Sequence, residues 1–123
     1  MKSTEFLIEN DAALKELEQP TNDFIKLVQR MMKTKGWRYK AKKHSASGQW
    51  SWYDDKGERE VSLAGWHGLQ PARWGAGRVI HDMYYTEKYI TTKKIKAFDI
   101  DTGTPKEDYE NNLNTILGFM QKL

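Results

Sequence analysis

Residues 35–65 read KGWRYKAKKHSASGQWSWYDDKGEREVSLAG, and the fold turns on a change of period inside this stretch. Just upstream, Phe24, Leu27, Val28, Met31 and Met32 recur at helical spacing after Thr21, and Gly36 stands where a helix needs a left-handed residue to end. From Trp37 onward the period is two. Trp37, Tyr39 and Ala41 alternate with Arg38, Lys40 and Lys42, which predicts a strand that buries one set and displays a wholly basic one. SASG at 45–48 reads as a turn, and Gln49 to Tyr53 as a second strand with Trp50 and Trp52 on one face. DDKG at 54–57 predicts a hairpin turn, since Asp initiates turns and Gly accepts positive φ; Arg59, Val61 and Leu63 then alternate along a third strand. The expectation is an antiparallel meander packed on the helix that ends at Gly36.

Working outward, Ser3 is placed to cap a helix over 4–18 with Leu7, Leu14 and Leu17 on one stripe, and Pro20 is expected to separate it from the next helix. Downstream, Val79, Ile80, Met83 and Tyr84 suggest a helix over 78–90, although YYTEKYITT in the same region is rich in strand formers. KIKAFDID at 94–101 suggests a fourth strand. TPKE at 104–107 predicts a capping box, with Thr104 as N-cap, Pro105 at the first helical position and Glu107 closing it, before a stripe of Tyr109, Leu113, Ile116, Leu117 and Met120. The fold class expected is α+β, an antiparallel three- to four-stranded sheet packed against α-helices. A chain of 123 residues suits a single small domain: an N-terminal helix over 1–20, a helix-strand-strand-strand-helix core over 21–90, and a strand and C-terminal helix over 94–123.

The chain has no cysteine, which removes disulfides, thiolate chemistry and Cys-ligated zinc. It has no apolar run of membrane-spanning length, so a soluble, cytoplasmic protein without a membrane partner is expected. His44, His67 and His81 lack the i, i+4 spacing that presents two metal ligands from one helix. DIDTG at 99–103 fails as a calcium loop, because Gly103 falls one place early and the fifth-position ligand is missing. Asp54 and Asp55 sit in a turn and read as turn formers. No metal or other cofactor is expected.

The net charge is only +3, but it is unevenly spread. Met1 to Asp23 sums to −4, whereas Phe24 to Tyr53 contains no acid and carries +8 from Lys26, Arg30, Lys33, Lys35, Arg38, Lys40, Lys42 and Lys43. A field of one sign over thirty residues suits a polyanion, since each cation placed on a phosphate releases counterions; it equally suits a solvated face paired with the acidic first helix. A second anion seat is suggested by GWHGLQPARWGAGRVIHD at 65–82. There Gly75 and Gly77 permit close backbone approach ahead of Arg78, with Arg73 adding charge; alternatively the glycines let Trp66 and Trp74 fold over the core.

The order of elements over 21–90, carried by the quoted stretch 35–65, resembles the double-stranded-RNA-binding-domain fold and, within it, HicA-type RNA-cleaving toxins. The resemblance covers a little over half the chain. In the toxins a Gly-Ser-His triplet opens the second strand and carries the catalytic histidine; here the corresponding place reads His44, Ser45, Ala46. The paired lysines that open the second helix of RNA-binding domains are also missing.

Three functions follow as expectations. The first is a small non-catalytic nucleic-acid-binding module in which Lys35, Arg38, Lys40, Lys42, Lys43, Arg73 and Arg78, with Gly75 and Gly77, contact phosphates and Tyr53 or Trp66 stacks on bases. The second is an adaptor or inhibitor whose basic, Trp-rich surface meets an acidic protein. The third is a HicA-like endoribonuclease acting through His44 or His81. No oligomeric state follows from the sequence.

Overall fold

The computed structural model describes residues 3–44, 47–67, 78–99 and 101–123, with side chains from residue 15 onward except those of residues 43, 44, 47, 66 and 67. Helix α1 (Ser3–Thr34) leads into strands β1 (Arg38–His44), β2 (Ser47–Tyr53), β3 (Arg59–His67), β4 (Arg78–Glu87) and β5 (Ile90–Lys96), and helix α2 (Lys106–Gln121) closes the chain. The five strands form one antiparallel sheet in sequence order, β1-β2-β3-β4-β5. The class is α+β, as expected, with one strand more than the sequence suggests.

The meander forms over 38–67, but β1 does not bury the set its alternation assigns to the core: Tyr39 is 45 % exposed and Ala41 is exposed, because β1 is an edge strand at the margin of the helix layer. Trp50, Trp52, Val61 and Leu63 are buried on the face that meets the helices. Gly36 has φ of 83° and closes α1: its N–H donates to the Lys33 carbonyl, and Trp37 N–H donates to the Met32 carbonyl. In the β2–β3 turn Gly57 has φ of 70°, and the Asp54 carboxylate accepts from the N–H groups of Glu58 and Arg59 and from the Arg59 guanidinium. Burial pushes the Asp54 carboxyl up, but these donors outweigh it and hold the group below its ordinary value.

Several further expectations are corrected. Pro20 does not divide two helices; it lies inside the 32-residue α1. A proline there loses one helical hydrogen bond, yet the buried row Leu17, Thr21, Phe24, Val28 and Met32 runs unbroken across it, so packing holds the helix together. The Thr21 hydroxyl also donates to the Leu17 carbonyl (2.7 Å).

Residues 78–87 form strand β4 rather than a helix. The β3–β4 register shifts between Ala64 and Gly65, so Ala64 faces Asp82 and Gly65 faces Ile80. This bulge breaks the two-residue alternation, leaving Val79, Ile80, Met83 and Tyr85 all buried and imitating a helical stripe. Only glycine fits at 65, because an added Cβ would collide with the Val79 carbonyl oxygen and lie 2.9 Å from the Ile80 Cα.

Another correction concerns Thr104. Pro105 is the N-cap of α2 and no side chain caps it; Thr104 Oγ1 instead accepts from the Asp99 N–H (2.9 Å). The ladder of β5 ends at Lys96, short of the strand expected over 94–101, and the N–H groups of Ala97 and Phe98 both donate to the His81 carbonyl. The α2 stripe is otherwise as expected, with Tyr109, Leu113, Ile116 and Met120 buried.

Candidate functional site

Both helices pack on one face of the sheet, the face of Trp50, Trp52, Val61, Leu63 and Met83. Alternation then fixes the opposite face, which no helix covers among the described residues. Three cross-strand rows make it up. Arg38, Tyr53, Glu60, Thr86 and Thr91 form the first, Lys40, Ser51, Ser62, Tyr84 and Lys94 the second, and Lys42, Gln49, Ala64, Asp82 and Lys96 the third.

The rows place charge and aromaticity in different zones. The cations stand on the two edge strands, Arg38, Lys40 and Lys42 on β1 and Lys94 and Lys96 on β5, and all five are exposed. Four strand spacings separate the edges, roughly 19 Å. Between them lie two tyrosines, Tyr53 and Tyr84, two strands and two residues apart, hence about 12 Å. The centre is short and polar: the Ser51 and Ser62 hydroxyls hydrogen-bond each other (2.8 Å), and Ser62 donates to Glu60 (3.0 Å).

Few of these charges are neutralised. Among the described residues, Arg38, Lys40, Lys42 and Lys94 make no ion pair, while Lys96 lies 3.8 Å from Asp99. Lys94 Nζ sits 5.5 Å from the Tyr84 ring centroid, and the Tyr84 hydroxyl is 3.5 Å from Asp82. Burial raises the pKa of Tyr53, and the neighbouring Glu60 raises it further. Tyr84 thus lies against Lys94, and Tyr53 stands between Arg38 and Glu60, placing two half-buried rings between the cationic edges, which suits stacking on flat groups attached to a polyanion.

The cations predicted from sequence divide among several places. Arg38, Lys40 and Lys42 share the open face. Lys35 does not join them: its ammonium donates to the Gln121 carbonyl (2.8 Å) at the C-terminal end of α2, a structural contact favoured by the helix dipole. Arg78 starts β4 on the helix-bearing side, lining a groove of about 570 Å³ between α1 and β1 with Lys26, Gln29, Tyr39 and Trp50. Burial raises the Tyr39 phenol there, while a Gln29 hydrogen bond and the charge of Arg78 draw it back. Arg73, Gly75 and Gly77 lie outside the described residues, as do the side chains of Lys43, His44 and Trp66.

The remaining histidine candidate, His81, is half-buried and stacks on Phe98 with centroids 6.3 Å apart. Burial lowers its pKa despite the opposing pull of Asp82. Among the described residues no three His, Asp or Glu side chains gather as a metal would require, and no helix is long and apolar enough to cross a membrane.

Sequence reasoning missed Tyr84, Lys94 and Lys96, because they enter the face only once 78–87 is a strand. A weak signal was present in the strand formers of YYTEKYITT, but Lys88-Tyr89 lacks the Asn-Gly or Asp-Gly that marks a two-residue hairpin. Comparison of the chain with protein-family models, curated proteins and solved structures yields no match.

Proposed function

We propose that this chain is a small nucleic-acid-binding module that uses the open face of its sheet, with Arg38, Lys40, Lys42, Lys94 and Lys96 on phosphates and Tyr53 and Tyr84 against bases. The observation that carries the reading is the zoning of that face, exposed cations on both edge strands with two tyrosines between them. A row of lysines on an edge strand also discourages strand-to-strand aggregation, and that duty alone would account for β1. The same duty would account for Lys94 and Lys96 on the other edge strand, but not for the aromatic rings between the two edges. Among the described residues the face carries no groove-filling helix or ribbon of the kind that reads duplex bases, so affinity without strong sequence preference is the expected behaviour.

Titration of single-stranded and duplex oligonucleotides at about 50 and 200 mM salt tests the reading. Binding at the lower concentration that weakens steeply at the higher one is expected. No binding at low salt, or binding indifferent to salt, contradicts it.

A further inference from the structure

The β4–β5 connection is a two-residue loop, Lys88-Tyr89, closed by the pair Glu87 and Ile90. Both loop residues have positive φ, 48° at Lys88 and 70° at Tyr89, and they are the only non-glycine residues with positive φ among those described. Such loops favour Asn-Gly, because a side chain in the left-handed region crowds its own backbone. Here the second position carries a tyrosine that is 98 % exposed, followed by Ile90 at 67 %.

Tyr89 therefore does nothing visible for folding. Its backbone conformation is one a glycine would adopt more easily, and its ring is in water. Its charged neighbours are Lys88 beside it in the loop and Lys93 and Lys94 further along β5, with Glu87 before it and Glu58 on the adjoining β2–β3 turn. The loop is anchored rather than loose, since Lys88 N–H donates to the Glu58 carbonyl (2.8 Å). A solvent-exposed ring on an anchored loop, with a lysine beside it, has the chemistry of a stacking platform for an unpaired base.

We infer that Tyr89 at the β4–β5 tip is a base-stacking anchor, and that the ligand of the open face is single-stranded nucleic acid, or a strand with unpaired bases, that continues past β5 onto this tip. The inference rests on the nucleic-acid reading of the sheet face and adds to it both a residue and a ligand class. A duplex hides its base faces inside the stack and gains nothing from an exposed ring that does not pry it open.

The deciding variant is Tyr89→Gly, because it separates binding from folding. Glycine relieves the left-handed conformation, so the melting temperature holds or rises, while the lost ring weakens binding of single-stranded oligothymidylate or oligouridylate roughly 5- to 150-fold. Tyr89→Trp keeps a ring and retains wild-type affinity. The preference for single strand over duplex shrinks in Tyr89→Gly and persists in Tyr89→Trp. Wild-type binding that Tyr89→Gly leaves unchanged overturns the tip inference and leaves the sheet-face reading standing; a partner of another class for Tyr89 would give this result. Equal loss in Tyr89→Gly and Tyr89→Trp also overturns it, since the ring would not be what matters. Failure of the wild-type chain to bind either probe at low salt overturns both.

Discussion

The hydroxyl of Tyr109 lies fully inside the core, where an unsatisfied polar atom is costly, and it is satisfied by two other elements. Ile80 N–H on β4 donates to it (2.9 Å), and it donates to Thr21 Oγ1 on α1, whose own proton goes to the Leu17 carbonyl. One relay thereby joins α2, the sheet and α1. Tyr109→Phe leaves the Ile80 N–H without this acceptor and is expected to destabilise the fold by about 1–3 kcal/mol, read as a lower urea midpoint at unchanged slope. Burial also pushes the Tyr109 pKa up to about 12, against donors that lower it. The unfolded chain therefore loses this proton first as pH rises above about 10, so stability falls between roughly pH 10 and 12. The Phe variant lacks this component of the alkaline loss, which unfolding curves collected across that range will show.

At the scale of elements, the parts of the fold legible in the sequence are those where local signals and tertiary demands agree. The strands from Trp37 to Leu63 alternate without interruption, and the turn at 54–57 carries the residues its geometry needs, so both form where the pattern places them. The misread elements are those where a long-range contact changes the pattern. The bulge at Ala64/Gly65 makes the buried residues of β4 look helical, and it cannot be seen without the partner strand. Pro20 is a sound local signal for a break, overruled because α2 packs alongside α1 there: Pro20, Asp23 and Phe24 share a groove with Lys106, Glu110 and Leu113. Replacing Pro20 with Ala restores the missing N–H donor to the Glu16 carbonyl and is expected to stabilise the protein by about 1–3 kcal/mol, measured by thermal or urea unfolding. Unchanged or reduced stability would mean that the proline ring's packing outweighs the recovered hydrogen bond.

For the whole molecule, the sequence disclosed half of the candidate site. The basic alternation of β1 is readable because charge and period coincide in one strand, whereas Lys94, Lys96 and Tyr84 become part of the same surface only through a five-stranded register. Lys35, counted with the basic cluster by sequence, is drawn away to the end of α2. The five exposed cations of the open face set the expected salt dependence. On single strands each neutralised phosphate contributes about 0.7 to the slope of log K against log salt, so Lys40→Gln, Lys42→Gln and Lys94→Gln together should lower the slope by roughly 2. Glutamine replacements on α1 at Lys26, Arg30 and Lys33 should change it far less, because those residues lie off the open face.

Where on the molecule a nucleic acid lies can be mapped residue by residue. An NMR titration of isotope-labelled protein with a single-stranded oligonucleotide reports each residue separately. Perturbations are expected to concentrate on the open-face residues Arg38, Lys40, Lys42, Tyr53, Tyr84, Lys94 and Lys96, with α2 and the buried tryptophans nearly silent. Perturbations centred on α1 and α2, with the open face unaffected, would contradict this placement.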